Sequence, residues 1–187
     1  MVDIRIYPEC QVGKLILCDE QKMHIENIFT EHEVGKIPTH GMIREYVSVD
    51  PSIIKKVTTL FRKIRRITSI VTIDVEMVVY NATDQLINLS KHVDDQTYLM
   101  SDMKKDDYQT KEPRFYTGIY YAKIDKTIKG GSVQFYDKRS KFAREVVPKE
   151  NDFLLFRSDQ LHGVKSIGGS GYRKLIIFYF STTNDKY

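Results

Sequence analysis

Five segments after residue 70 carry apolar residues with a period of two, and they constrain the fold more than any other feature of the chain. Most of their residues are β-branched or aromatic, which is typical of strands. The segments are VTIDVEMVVY (71–80), FYTGIYYAK (115–123), SVQFYD (132–137), DFLLFR (152–157) and YRKLIIFYFS (172–181). Turns rich in glycine separate them, notably Gly130-Gly131 and the GGSG run at 168–171. Strands this numerous, preceded by helices in one block, predict a double-sheet β-sandwich or jelly roll with helices on one side.

The first third of the chain has the patterns of a strand hairpin and two helices. VDIRIY (2–7) and KLILC (14–18) are short β-type runs separated by turn residues, which fits a hairpin. Apolar residues form a helical stripe between residues 20 and 32. The second helix is clearer, because Asp50 can cap it, Pro51 suits its first turn and apolar residues then recur at three- and four-residue steps.

The composition fits one soluble domain without a membrane anchor. A chain of 187 residues suffices for a single domain, in which we expect residues 1–70 to support a strand-rich core at 71–181. The longest apolar stretch, LIIFYF at 175–180, is far shorter than the ~20 residues that cross a bilayer, and charged residues interrupt the N-terminus where a secretory signal needs an apolar run. Only Cys10 and Cys18 are present, so we expect buried, reduced thiols and a reducing, cytoplasmic location.

The segment KHVDD contains a histidine and an aspartate with the spacing of metal ligands. His92 and Asp94 lie two positions apart, so on an extended segment both side chains point to the same side and can reach one ion. His162 follows a later strand and is the candidate third ligand. Two imidazoles and one carboxylate form the facial triad of non-haem Fe(II) oxygenases, which leaves three positions open. An H-x-D triplet alone also fits a surface histidine beside solvated acids.

Arg173 lies inside the last apolar strand pattern, where its charge has a desolvation cost unless an anion pairs with it. A planar guanidinium there can hold a dicarboxylate end-on through two parallel hydrogen bonds. An internal salt bridge or an outward orientation are the alternatives. Strand alternation places Arg173 on one face with Leu175, Ile177 and Tyr179, and predicts Lys174 as a solvent-exposed residue of the other face.

At this point the order and spacing of the segments resemble a known family, the Fe(II)- and 2-oxoglutarate-dependent dioxygenases. Within that family they are similar to the catalytic domain of the hypoxia-inducible-factor prolyl hydroxylases. The resemblance runs from residue 77 to 181 and rests on MVVY leading to KHVDD, then TGIYYAK, GGSVQFYD, DFLLFRSDQLHGV and GYRKLIIFYF. It implies an α+β fold with a double-stranded β-helix (jelly-roll) core and N-terminal helices packed on one sheet, forming a single dioxygenase domain.

The resemblance also implies roles for individual residues. His92, Asp94 and His162 would bind iron and, with Arg173, form the catalytic set. Arg173 would hold the C5 carboxylate of 2-oxoglutarate. The residues that the family pattern places beside the co-substrate or the metal are Tyr121 as a hydrogen-bond donor to that carboxylate, Tyr80 in the co-substrate pocket, and Val164 and Tyr179 in the metal pocket. Without the resemblance, Tyr121 fits an ordinary core aromatic residue.

The chain departs from the family pattern around the substrate mouth. Leu89 stands where the branch has a tyrosine, three residues before the first histidine, and Tyr179 stands where a tryptophan is expected. The polar segment 95–114 is longer than expected, and glycines enlarge the turn between His162 and Arg173. These differences concern the substrate more than the iron chemistry.

The resemblance implies a peptidyl-proline 4-hydroxylase that uses Fe(II), 2-oxoglutarate and O2, with ascorbate as a further reductant. It would act on a protein or peptide in the cytoplasm, or in a host cell if the chain is viral.

One alternative is a nucleic-acid demethylase of the same superfamily, which the net charge of +4 and the basic second helix favour. The segment Arg173-Lys174-Leu175 lacks the second arginine of such demethylases, which disfavours nucleic acid. Another alternative is a hydroxylase-like binding protein that engages a host partner. The remaining histidines lack ligand spacing: His24, His32 and His40.

Overall fold

The computed structural model describes residues 4–33, 41–65, 69–83, 87–94 and 115–182, which form two helices and eleven strands. The helices and strands, in chain order, are β1 (Arg5–Ile6), β2 (Cys10–Lys14), α1 (Asp19–Glu33), β3 (Gly41–Tyr46), α2 (Pro51–Arg65), β4 (Ile70–Thr83), β5 (Ile87–His92), β6 (Tyr116–Ile124), β7 (Ile128–Gly130), β8 (Val133–Tyr136), β9 (Phe142–Val146), β10 (Asp152–Arg157) and β11 (His162–Thr182). The period-two segments are all strands, as their pattern predicts.

Two antiparallel sheets share the long strand β11. The larger sheet has the order β1-β2-β10-β6-β11-β4-β3. In the smaller sheet the first part of β11 pairs with β5, β7 and β8, and β8 pairs with β9. The apolar side chains of the two sheets meet in one core. The chain is therefore mostly β, with the jelly-roll core that its strand pattern predicts.

The glycine-rich run at 168–171 is not a turn between two strands, contrary to the prediction. Strand β11 continues through it and crosses from the smaller sheet to the larger one. Gly169 has φ +81°, and a Cβ there would lie 2.0 Å from the carbonyl oxygen of Thr127. The glycine therefore lets the strand change direction at a close approach of two backbones, which only a residue without a side chain allows.

A second core lies on the other face of the larger sheet. It contains buried residues of both helices together with residues of the sheet. Helix α2 contributes Ile53, Val57, Leu60 and Phe61. These residues have the three- and four-residue spacing from which the helix was predicted. The ring of Phe61 lies 5.1 Å from that of Tyr116, centroid to centroid. Neither helix of the described residues is long and apolar enough to cross a membrane.

Several local expectations were wrong. Lys174 is not solvent-exposed but buried, with its ammonium 5.2 Å from the ring centroid of Phe29, because α1 covers that face of the sheet. The second strand of the hairpin is Cys10–Lys14, earlier than the predicted 14–18. Cys18 is exposed, whereas Cys10 is buried as expected, and burial raises the pKa of the Cys10 thiol to about 12.

Two predicted features lie outside the described residues: the polar segment 95–114 and His40. The ring of His24 accepts a hydrogen bond of 3.0 Å from the backbone N–H of Asp50. This histidine therefore joins α1 to the start of α2, and no chemical role needs to be assigned to it.

Candidate active site

His92, Asp94 and His162 come together between the two sheets. His92 is the last residue of β5, His162 is the first residue of β11, and the two are paired in the smaller sheet. The backbone N–H of Asp94 donates to the carbonyl of Ser158 over 2.8 Å, which fixes the aspartate just beyond β5. One ligand atom from each of the three residues lies within 4.8 Å of the others. The structure thus unites the three residues that the sequence singled out.

The carboxylate of Asp94 faces both imidazoles. Its Oδ1 lies 3.7 Å from Nε2 of His92, and its Oδ2 lies 3.7 Å from Nε2 of His162. The two imidazole rings are 4.4 Å apart, centroid to centroid. Two nitrogens and one oxygen converging from one side form the donor set of a facial triad.

Backbone carbonyls set the tautomer of both histidines. Nδ1 of His92 lies 2.8 Å from the carbonyl oxygen of Ser90, and Nδ1 of His162 lies 2.9 Å from that of Gln160. A carbonyl only accepts, so each Nδ1 donates its proton there, and Nε2 is the ring nitrogen left for a metal ion. Such carbonyl contacts orient metal-binding histidines in many proteins.

Burial differs among the three residues and gives the cluster an open side. The side chain of His162 is 4% exposed, that of Asp94 9% and that of His92 40%. The ring of Phe156 packs 4.6 Å from that of His162. Burial lowers the pKa of His162, which favours the neutral imidazole that a metal ion requires. A substrate can therefore approach from the side of His92.

Arg173 lies at the closed end of the same pocket. It is 2% exposed, and its Nε and Nη1 have no hydrogen-bond partner among the described residues. Its guanidinium carbon lies 5.1 Å from the ring centroid of Tyr121 and 5.8 Å from that of Tyr80. Leu175 and Ile177, which strand parity places on the same face as Arg173, line the same pocket. A buried guanidinium without an anion fits a ligand carboxylate.

Tyr121 adds a second unsatisfied polar group beside this guanidinium. Its side chain is fully buried, and its hydroxyl has no hydrogen-bond partner in the part of the chain that the structure describes. Burial raises the pKa of Tyr121 to about 12 and outweighs the opposing effect of Arg173. The phenol therefore stays protonated and can donate a hydrogen bond. Together with Arg173 it offers hydrogen-bond donors that suit a carboxylate group of a ligand.

Gly131 lies against the guanidinium of Arg173, a position that the sequence pattern did not reveal. A Cβ at this position would lie 2.2 Å from Nη1 of Arg173, and its φ is +75°. The glycine therefore leaves the space into which the guanidinium extends. The sequence signal was the Gly130-Gly131 pair, which also fits an ordinary turn.

The pocket is also lined by residues from β3, a strand that the sequence pattern did not predict. Met42 and Arg44 lie there, with Leu89 and Val164 on the side of the smaller sheet. Leu89 and Val164 pair across β5 and β11. Tyr179 does not line the described pocket. Its hydroxyl instead donates to Oε2 of Glu76 over 3.0 Å.

Residues 77–181 match the family model of the 2OG-Fe(II) oxygenase superfamily. This is more than half of the chain, and the chain belongs to that superfamily. A comparison with curated protein sequences found no match.

Solved structures share the fold at low sequence identity. The viral collagen prolyl hydroxylase of Paramecium bursaria Chlorella virus 1, in its 2-oxoglutarate complex, has a TM-score of 0.60 and 14% identity, covering 94% of this chain and 97% of that chain. HygX of Streptomyces hygroscopicus, with nickel and 2-oxoglutarate bound, has a TM-score of 0.60 and 12% identity, covering 94% of this chain and 83% of that chain. A Trichoplax adhaerens prolyl hydroxylase in complex with a hypoxia-inducible-factor peptide has a TM-score of 0.56 and 15% identity, covering 91% of this chain and 82% of that chain. The fold is thus like that of prolyl hydroxylases.

Proposed function

We propose that this protein is an Fe(II)- and 2-oxoglutarate-dependent dioxygenase that hydroxylates prolyl residues of a protein or peptide. The observation that carries the proposal is the pocket itself. It contains a His-Asp-His cluster and, at its closed end, a buried arginine with two unpaired nitrogens among the described residues. A protein that only binds a partner has no need to keep both groups in one pocket. The likeness of the fold to prolyl hydroxylases supports the prolyl substrate.

In this proposal His92 and His162 bind the iron through Nε2, and Asp94 binds it through a carboxylate oxygen. Arg173 binds the C5 carboxylate of 2-oxoglutarate, and the hydroxyl of Tyr121 donates to the same carboxylate. When bound, Fe(II) and 2-oxoglutarate supply the oxidising chemistry, in which O2 is consumed, 2-oxoglutarate is decarboxylated to succinate and the substrate gains one hydroxyl group.

The protein's own residues orient these groups and exclude water. Carbonyl contacts fix the two imidazoles, and the core between the sheets encloses Arg173 and Tyr121. Tyr80 lies against the guanidinium and, with its own hydroxyl buried, closes the pocket beside the co-substrate. A closed, apolar surrounding strengthens the interaction of Arg173 with a carboxylate.

We further propose that residues 71–181 carry this reaction and that residues 1–70 support them within a single domain. The shared core of both helices and the larger sheet supports this arrangement. Ascorbate as a reductant and a cytoplasmic location stay predictions.

The proposal is tested with a panel of proline-containing peptides, incubated with the protein, Fe(II), 2-oxoglutarate, O2 and ascorbate. Tandem mass spectrometry should show a gain of about 16 Da on proline, the mass of one oxygen atom. Asp94→Ala should abolish the product, and Arg139→Ala, at an exposed turn residue, should not. Turnover of methylated oligonucleotides without any hydroxyproline would instead identify a demethylase.

A further inference from the structure

A buried carboxylate at the open end of the pocket fixes an arginine there. The side chain of Glu76, on β4, is 5% exposed, and its Oε2 lies 2.5 Å from Nε of Arg44. The hydroxyl of Tyr179 donates to the same Oε2 and accepts a hydrogen bond from Nη2 of Arg44. Arg44 thus has two anchors, which hold the plane of its guanidinium in one orientation.

This cluster of Arg44, Glu76 and Tyr179 stands apart from the Arg173 end of the pocket. Tyr179 lies six residues beyond Arg173 on β11, which is roughly 20 Å along an extended strand. Arg44 lines the same pocket as His92 and Asp94, and its side chain is 42% exposed. The buried arginine therefore closes one end of the pocket, and the anchored, half-exposed arginine borders the other.

The two arginines differ in what they can bind. The Nε and Nη1 of Arg173 have no hydrogen-bond partner among the described residues, so this arginine suits an anion. The charge of Arg44 is already offset by Glu76, so the opening offers N–H donors with little net positive charge. A neutral carbonyl oxygen suits these donors better than a phosphate or a carboxylate.

The surroundings of Arg44 indicate what kind of group enters beside it. The pocket that Arg44 lines has many apolar residues in its lining, among them Met42, Leu89, Val164 and Ile177. The pocket therefore favours a substrate whose uncharged, apolar side chain lies next to the metal cluster. The polar main chain of the same substrate would then lie at the rim. This combination matches a residue within a peptide.

We propose that Arg44 determines substrate specificity by donating hydrogen bonds to a main-chain carbonyl oxygen of the peptide next to the hydroxylated residue. Glu76 and Tyr179 are positioning residues, since they act through Arg44. This inference rests on the proposed function and names the contact by which a peptide is held. The strand β3 that presents Arg44 becomes part of the substrate site.

The first test is the steady-state kinetics of Arg44→Lys and Tyr179→Phe on a prolyl peptide that the wild-type protein hydroxylates. Lysine keeps the charge beside Glu76 but loses the planar fork, so neither variant leaves a buried carboxylate unpaired. The KM for the peptide should rise about tenfold in Arg44→Lys and less in Tyr179→Phe, with kcat within about twofold of wild type. Thermal unfolding confirms that both variants are folded, and Arg139→Ala is the matched control.

The second test weakens the acceptor instead of the donor. A thioamide replaces the carbonyl next to the target proline, one position at a time. At the contacted position the thioamide should raise the KM of the wild-type protein several-fold and that of Arg44→Lys much less, because the contact is already lost. If the thioamide raises the KM equally in both proteins at every position, or if Arg44→Lys leaves the peptide KM unchanged, the inference about Arg44 is wrong while the proposed function stands. A wild-type protein that hydroxylates no prolyl peptide overturns the proposed function and the inference with it.

Discussion

Arg173 carries a positive charge into the closed end of the pocket, where two of its nitrogens have no acceptor among the described residues. An unpaired buried charge lowers stability, and proteins retain such groups where a ligand pairs with them. We therefore expect Arg173 to favour ligand binding at the expense of the stability of the ligand-free fold.

Arg173→Met should separate these two effects. Methionine fills much of the same space without the charge, so the ligand-free variant should unfold at the wild-type temperature or above it. The affinity for 2-oxoglutarate should fall by ~2 kcal/mol, or about 30-fold, because a charge-assisted contact is lost. Calorimetry with Mn(II) in place of Fe(II) measures the affinity, with Arg139→Ala as the control. Unchanged affinity in Arg173→Met would reject the carboxylate role.

Gly131 provides an independent test of the same end of the pocket. In Gly131→Ala the added methyl group meets Nη1 of Arg173, and the residue must keep a φ of +75°. We expect a stability loss of about 1 to 3 kcal/mol from backbone strain and weaker 2-oxoglutarate binding from the displaced guanidinium. Gly13→Ala is the matched control, because a Cβ there meets only ordinary contacts of 3.6 Å or more. Equal 2-oxoglutarate affinity in both variants would show that Gly131 does not shape the site.

At the scale of elements, the strands that sequence reasoning identified differ from those it missed in burial. The first six residues of β6 and all but the last residue of β10 are buried, so their apolar pattern is strong. β3 and β9 are edge strands with half-exposed residues, and charged side chains interrupt their alternation. The glycines at 168–171 were interpreted as a turn because the close approach that requires them is a long-range contact. A local pattern cannot show such a contact.

Helix α2 was predicted from spacing and capping alone, and its packing leads to a prediction of its own. Phe61 is fully buried, with its ring centroid 5.0 Å from that of Phe180 and 5.1 Å from that of Tyr116. Phe61→Ala should lower the free energy of unfolding by about 3 to 5 kcal/mol, through lost burial and a cavity. Denaturant unfolding measures this, and Lys55→Ala on the exposed face should change it by less than about 0.5 kcal/mol. Similar stability of the two variants would mean that α2 is not part of the core.

At the scale of the whole molecule, much of the candidate site could be predicted because its residues come from separate segments with distinctive chemistry. His92 and Asp94 are two residues apart, His162 follows a later strand, and Arg173 stands out from an apolar strand pattern. The fold then brings the four into one pocket. Arg44 and Glu76 could not be predicted in the same way, because a charged pair across two strands has no local pattern. Their pairing depends on the register of β3 against β4.

The central claim is that the His-Asp-His cluster and Arg173 together support 2-oxoglutarate oxidation. The most direct measurement is succinate release by the purified wild-type protein with Fe(II), 2-oxoglutarate and O2, compared with Asp94→Ala at equal folded concentration, with ascorbate added to both as the two-electron reductant for the second oxygen atom when no substrate accepts it. We predict that the wild-type protein releases succinate only when all three are present, and that Asp94→Ala releases none above the protein-free background. Succinate release by Asp94→Ala at the wild-type rate, or none by a folded wild-type protein that has bound Fe(II), would contradict this account.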